Sequence, residues 1–125
     1  MKCLSIKQPF CSLIMFGFKT IEVRSWESKF KGELFIHSPL TVSNFNLPEE
    51  VIEKIPEEIL SVRGKILGSV QMIDCIKLNK THEEDACCEI SGNKFGFVFD
   101  SPKLLDKFIE YKGKLGIFDI KNFIK

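Results

Sequence analysis

The chain has 125 residues, of which 44% are apolar and 28% are charged, with 18 Lys and Arg against 17 Asp and Glu. This composition is typical of one globular domain, expected over residues 1–125, that can bury its own core. A net charge of +1 excludes a strong overall positive field, so nucleic-acid binding would have to depend on a local cluster of cations. No apolar run reaches the roughly 20 residues that a membrane-spanning helix needs.

The first forty residues predict a strand, a helix and two further strands. Residues 3–7 form a short strand, and Gln8-Pro9 opens an apolar helix that ends at Gly17. A second strand carries Glu22 and Arg24, and residues 32–38 form a third strand with alternating apolar positions.

The rest of the chain predicts two short helices followed by further strands. Residues 42–60 are helical, with a break at Pro56. The later segments are a long strand at 66–78, a polar loop with at most a helical turn at 79–92, a buried strand at 95–99, a loop or short helix at 101–110, and a last strand at 115–120. Five or six strands with glycine corners, without regular strand–helix alternation, favour an α+β fold with a small, mixed, closed or nearly closed barrel.

The cysteine pattern indicates reduced thiols and no metal site. An odd number of cysteines without a Cys-x-x-Cys pair, several among apolar neighbours, is typical of an intracellular, cytoplasmic protein. His82 precedes Cys87 and Cys88, but adjacent cysteines make a poor tetrahedral pair and a fourth ligand is missing. We therefore expect no metal and no other cofactor.

Residues 17–26 hold the most distinctive group of polar side chains. Glu22, Arg24 and Trp26 are spaced by two, so on an extended strand their side chains leave the same face. Lys19 precedes this strand in a turn from which it can reach that face. The group suits a polar, planar or phosphorylated ligand, whereas an exposed ion pair beside an ordinary core tryptophan is the alternative interpretation.

Three segments of the first forty residues carry a family resemblance: Leu4-Ser5-Ile6-Lys7-Gln8-Pro9-Phe10, Gly17-x-Lys19-x-x-Glu22-x-Arg24-Ser25-Trp26, and Lys31-Gly32-x-Leu34-x-Ile36-His37-Ser38. With the later segments 64–70 and 113–118, they resemble the ASCH domain, a branch of the PUA-like superfamily. The resemblance implies a PUA-like mixed β-barrel of five to six strands with flanking short helices. It also implies a cleft between the first helix and the strand of the Lys/Glu/Arg motif.

The resemblance implies binding of nucleic acid, with RNA or another single strand as the partner. Lys19 and Arg24 would contact phosphate or a base edge, and Trp26 or Phe10 would stack on bases. Glu22 would orient Arg24 or accept a hydrogen bond from a base amine. The ligand-binding residues expected on this basis are Lys7, Gln8, Phe10, Lys19, Glu22, Arg24, Ser25, Trp26, His37 and Lys65. A purely binding role for Lys19 implies that Lys19→Ala leaves the melting temperature nearly unchanged.

Two enzyme alternatives stay open. One branch of the family resembles an amidohydrolase that removes the acyl group from N4-acetylcytidine, a modified nucleoside, with a threonine, a lysine and a glutamate. Lys19 matches the lysine, Glu22 stands where the threonine falls, and Asp74 is the nearest counterpart of the glutamate. Lys19 and Glu22 would then be catalytic, with Glu22 as general base. A ribonuclease would use His37 as its general base.

A protein partner is the third interpretation of the sequence. The loop at 79–92 carries four acidic residues, Glu83, Glu84, Asp85 and Glu89, which suit a basic partner better than a phosphate backbone. A solvated loop is the simpler explanation of the same charges.

Overall fold

The computed structural model describes Met1–Lys121, which form one six-stranded sheet with short helices around it. The helices are α1 (Phe10–Met15), α2 (Glu49–Ile52), α3 (Glu57–Leu60) and α4 (Glu83–Ala86), the last preceded by a 3₁₀ turn (Lys80–His82). The strands are β1 (Lys2–Ser5), β2 (Ile21–Arg24), β3 (Gly32–Ser38), β4 (Lys65–Lys77), β5 (Phe95–Glu110) and β6 (Ile117–Asp119).

The sheet has the order β2-β5-β4-β3-β1-β6, in which only β1 and β3 are parallel neighbours. The two long strands β4 and β5 form its centre, and their register shifts at three places. Such bulges increase the local twist and bend the strands. The result is a curled half-barrel whose edges in the described residues are β2 and β6, so the predicted α+β class with six strands and short helices is confirmed.

Residues 101–110 are strand, and the prediction of a loop or short helix there was wrong. Between the pairs Gln71–Asp100 and Ser69–Lys103, β5 has one residue more than β4. Ser101 takes a φ of 53° at this bulge. The neighbouring Pro102 therefore needs no ladder hydrogen bond, and a residue that normally ends a strand is accommodated inside one.

The other elements lie close to their predicted positions. The helix after β1 stops at Gly17, where φ is +80°, and the helical region is divided at Pro56 as predicted. Residues 42–48, predicted as part of that helical region, are not helical, because the helix begins only after Pro48. β1 and β6 are shorter than predicted. The predicted loop at 79–92 contains α4. Among residues 1–121, no helix is both long and apolar enough to cross a membrane.

Helix α1 and the segment around α4 flank the strand that carries the polar motif. α1 packs on β3, β4 and β5 through buried side chains that include Ile14 and Met15. On the other side, Ala86 and Ile90 pack with Ile21 of β2. The residues just before β2 are joined to both helical segments, since the main-chain N–H of Lys19 donates to Leu13 of α1 and that of Thr20 donates to Asp85 of α4.

We expect Gly68→Ala to destabilise the fold by about 3 kcal/mol, because there is no room for a side chain where β4 crosses β5. A Cβ at this position would clash with the main-chain oxygen of Lys103 and would lie 2.9 Å from Cα of Leu104. The comparison variant is Gly92→Ala, where a Cβ would meet nothing within 4 Å and only the φ of +71° opposes it, at a cost of about 1 kcal/mol. Urea denaturation measures both variants, and equal losses would contradict the proposed crowding.

Candidate functional site

A wide cleft of about 1480 Å³ opens beside β2. Its walls come from the β1–α1 connection, the end of β2 with the two residues after it, the connection that follows β3, Lys94 directly before β5, and the segment between β5 and β6. These five stretches are far apart in sequence. The cleft therefore exists only in the folded chain.

The cleft is strongly positive although the chain as a whole is almost neutral. Its lining contains six cationic side chains and two carboxylates. The cations are Lys7, Arg24, Arg63, Lys94, Lys112 and Lys114, and the carboxylates are Glu22 and Glu110. Like charges along a concave surface focus the field there and attract an anionic ligand.

A buried carboxylate connects the two cations of the sequence motif. Oε1 of Glu22 lies 3.6 Å from Nζ of Lys19, and Oε2 accepts hydrogen bonds from Nε and Nη2 of Arg24 at 3.2 and 2.9 Å. Nη2 of Arg24 also donates to the main-chain oxygen of Ser5 at 2.9 Å. The three charged groups of the motif thus form one ion cluster, as their spacing predicted.

Lys19 is enclosed and does not line the cleft. Its side chain is only 2% exposed, and Nζ donates to the main-chain oxygen of Ala86 at the end of α4. The ammonium also lies 5.0 Å from the ring centroid of Phe10, a cation–π contact. The turn before β2 therefore directs Lys19 between the two helical segments, where it joins them to Glu22.

Arg24 is the motif cation that faces the cleft. About a quarter of its side chain is exposed, and two contacts fix the guanidinium on its Nε and Nη2 side. Within residues 1–121, the hydrogen bonds of Arg24 to protein all come from Nε and Nη2, so the two N–H groups of Nη1 are available to a ligand. A planar donor held in this way suits a phosphate or the edge of a base.

Aromatic rings lie between the cations of the lining. Trp26 follows the end of β2 in a bend instead of lying on the strand, yet it still reaches the cleft together with Ser25. The indole is 36% exposed, and its other side packs edge-on against Phe97 at 5.0 Å between centroids. Phe10 and Tyr111 complete the aromatic part of the lining.

His37 is a buried residue of β3 that connects β1 to the segment after β5. Nε2 lies 2.6 Å from the main-chain oxygen of Tyr111, and Nδ1 lies 2.8 Å from Oγ of Ser5. Because a carbonyl can only accept, Nε2 carries the proton and Nδ1 accepts from the Ser5 hydroxyl. Burial lowers the pKa of His37 below 6.5, which keeps the ring neutral at pH 7. Both ring nitrogens are therefore occupied by the protein.

Three of the ten predicted ligand-binding residues lie outside the cleft lining. They are Lys19, Gln8 and Lys65. Nε2 of Gln8 donates to the main-chain oxygen of Ile59 at 2.8 Å, while its Oε1 accepts from Ser12, so this side chain joins α1 to α3. The other seven line the cleft: Lys7, Phe10, Glu22, Arg24, Ser25, Trp26 and His37.

Sequence reasoning missed most of the cleft's cations. Arg63, Lys94, Lys112 and Lys114 were not predicted as site residues, although Arg63-Gly64 and Lys112-Gly113 are visible as basic–glycine pairs before strands. Asp74, the considered counterpart of a catalytic glutamate, is exposed, caps the main-chain N–H of Cys75 and lies outside the lining.

Potential metal ligands do not converge in the described part of the chain. No group of three His, Cys, Asp or Glu side chains within residues 1–121 could hold a metal ion. All five cysteines are free thiols. Burial raises the pKa of both Cys3 and Cys11 to about 12, so these two are unreactive at neutral pH.

The curled six-stranded sheet, with a short helix after its first strand and a cleft beside β2, defines a PUA-like α+β domain. The family model of the ASCH domain matches residues 4–120, and the chain belongs to the ASCH domain family. The crystal structure of ASCH from Zymomonas mobilis superposes with a TM-score of 0.65 at 10% identity, covering 96% of this chain and 87% of that one. A point mutant of that protein gives a TM-score of 0.64 at 10% identity, with 96% and 89% coverage. At such low identity these likenesses show the fold alone.

Sequence relatives include Activating signal cointegrator 1 from Homo sapiens and from Mus musculus. Each is 29% identical over 133 residues, a match that covers 98% of this chain. The chain spans only 22% of the length of either relative. The similarity therefore concerns one part of those larger proteins.

The burial of Lys19 reverses the expectation that this residue can be replaced without a loss of stability. We expect Lys19→Met to lower the free energy of unfolding by about 2 kcal/mol, because Ala86 loses a buried hydrogen-bond donor and Glu22 loses a buried cation. The control is Lys7→Met, an exposed lysine of the cleft, which should leave stability unchanged. Urea denaturation measures both, and equal stabilities would show that the Lys19 contacts contribute nothing.

The lowered pKa of His37 predicts a loss of stability in mild acid. The unfolded chain, with its histidine pKa near 6.5, binds the proton more readily than the folded protein. The free energy of unfolding should therefore be constant above about pH 7.5 and fall as the pH drops below about 6.5. His37→Gln should flatten this dependence, whereas the control His82→Gln, at the only other histidine, should retain it. Urea denaturation at several pH values across this range measures the dependence. An unchanged pH dependence of the free energy of unfolding in His37→Gln would exclude His37 as its cause.

Proposed function

We propose that the cleft binds single-stranded nucleic acid, with RNA as the preferred ligand. The observation that carries this proposal is the concentration of six cations and three aromatic rings in one cleft of a chain with a net charge of +1. Cations contact a phosphate backbone, and exposed rings provide stacking surfaces for bases. Membership of the ASCH family supports the same proposal.

The dimensions of the cleft favour a strand over a single nucleoside. Its volume of about 1480 Å³ exceeds the range of roughly 300 to 1,000 Å³ that is usual for small-molecule pockets. Cations occur on every wall, from Lys7 to Lys94 and Lys112, so several successive phosphates can be contacted at once.

Arg24 is the best preorganised side chain for contact with this ligand. Glu22 and the Ser5 carbonyl already hold its guanidinium in the free protein. The Arg24 side chain therefore loses little conformational entropy when a ligand binds. The free Nη1 side suits a phosphate oxygen or the acceptor edge of guanine. In this proposal Glu22 is a positioning residue for Arg24.

Neither enzyme alternative gains a specific observation from the geometry. An amidohydrolase would need Lys19 close to its substrate, but Lys19 is bound to Ala86 and Glu22 away from the lining. A ribonuclease would need a free nitrogen on His37, and both of its nitrogens are engaged. We therefore propose a binding module, and we propose an intracellular location, which the free thiols support.

Fluorescence anisotropy with a labelled single-stranded RNA of about 12 nucleotides tests the binding proposal. Affinity should fall as salt rises, with a slope of about −0.7 in log K against log salt for each contacted phosphate. Lys94→Ala, in the cleft, should weaken binding and reduce the slope by about 0.7, whereas Lys107→Ala, exposed on β5 outside the cleft, should change neither. Equal effects of the two variants, or affinity independent of salt, would refute the assignment of the cleft.

The same preparation tests the enzyme alternatives directly. Chromatography after incubation with N4-acetylcytidine, and electrophoresis of the labelled RNA after binding, detect deacetylation and strand cleavage. Deacetylation that is lost in Lys19→Met would identify an amidohydrolase in place of a binding module. Strand cleavage that is lost in His37→Gln would identify a ribonuclease.

A further inference from the structure

The rim of the cleft carries the most exposed apolar side chains of the described residues. Leu115 is 98% exposed and Leu40 is 79% exposed, and both line the cleft, as does the partly exposed Trp26. The other exposed large apolar side chains within residues 1–121 are all less than half exposed. Single exposed leucines need no explanation, but their concentration on one basic cleft indicates an occupant with apolar faces.

Leu115 lies in a short loop that also carries positive charge. Lys112 and Lys114 precede it, both are exposed, and both line the same cleft. We call residues 112–116 the finger loop. An apolar protein surface would have to desolvate these ammonium groups when it covered Leu115. A nucleic acid instead offers apolar base faces and phosphates within a few ångströms of each other, which matches the loop in both respects.

Contacts at both ends hold the finger loop in place. At its start, the main-chain N–H of Tyr111 donates to Gly64 at 3.1 Å, and His37 binds the Tyr111 carbonyl. Gly113 lies so close to the Ser5–His37 pair that a Cβ there would be 2.6 Å from Oγ of Ser5.

The C-terminal end of the finger loop lies beside the partly exposed indole of Trp26. A Cβ at Gly116 would lie 3.9 Å from Cζ2 of Trp26, and the φ of +66° at this glycine completes the turn into β6. The main chain on both sides of Leu115 is therefore held beside an aromatic ring. A loop whose main chain is already ordered loses less entropy when a ligand binds.

We propose that Leu115 acts as a wedge between stacked bases, so that the cleft prefers RNA at a junction of duplex and single strand. In this arrangement Leu115 covers the last base pair, the first unpaired base stacks on Trp26, and Lys112 and Lys114 contact the adjoining phosphates. Separating two stacked bases is least costly where one of them is already unpaired. This inference depends on the proposed nucleic-acid function and goes beyond it by naming the preferred structure of the ligand.

A hairpin RNA with a single-stranded tail tests the wedge. It carries 2-aminopurine, whose fluorescence rises on unstacking, as the first unpaired base. Two comparison RNAs are the tail alone and a blunt hairpin. We expect wild-type protein to bind the junction about tenfold more tightly than the tail alone or the blunt hairpin, and to increase the fluorescence at the junction.

The variants separate wedging from general binding. Leu115→Ala should lose the fluorescence increase and about tenfold in junction affinity, with affinity for the tail unchanged within about twofold. Leu115→Met, which keeps an apolar side chain of similar size, should retain both the fluorescence increase and the junction affinity. The control is Ile73→Ala, which removes an exposed apolar side chain outside the cleft and should behave as wild type. Because Leu115 is almost fully exposed, the melting temperatures of its variants should equal that of wild type.

Each other outcome overturns the wedge in a recognisable way. Salt-sensitive binding of the tail, without preference for the junction or a fluorescence change, would refute the wedge and leave the proposed function intact. Absence of binding to all three RNAs would refute both. A wild-type dimer in sedimentation that Leu115→Ala converts to a monomer would also refute the wedge, because Leu115 would then pack on a second copy of the chain.

Discussion

The arrangement of this site depends on a single buried carboxylate. Glu22 lies between Lys19 and Arg24, and a carboxylate at that depth is tolerated only when cations and hydrogen bonds compensate for the water it has lost. Through Lys19 the cluster reaches the end of α4 and the ring of Phe10. Through Arg24 it reaches the main chain of β1. One side chain thereby joins four separate parts of the chain at the edge of the cleft.

This cluster divides the sequence motif between a structural role and the binding role that we propose. Lys19 holds the fold together from the protein interior, while Arg24 presents donors to the cleft. A second polar network supports the segment between β5 and β6, where His37 connects Ser5 to Tyr111 and thereby holds the start of the finger loop. The groups that touch a ligand in our proposal are thus supported by buried groups that do not touch it.

The positive charge of the cleft has a different origin from the motif. Its other cations come from four connecting segments, and the chain's acidic side chains lie mainly elsewhere, with five glutamates in residues 49–58. A nearly neutral protein can therefore carry a locally basic surface. This separation explains why overall composition gave no indication of the proposed nucleic-acid ligand. The burial of Lys19 is a separate observation, and it weakens the comparison with a lysine-dependent hydrolase.

The sequence by itself determined the local elements and one face of the site. Apolar periodicity and turn residues located β1 to β4, the stop at Gly17 and the break at Pro56, because these depend on neighbours along the chain. The two-residue spacing of Glu22 and Arg24 predicted their meeting for the same reason. Only the tertiary structure decided that β5 continues through Pro102, since that requires an extra residue opposite β4. It likewise decided that Lys19 turns inward and that Lys94 and Lys112 converge on one cleft, because both depend on how a curled sheet brings distant segments together.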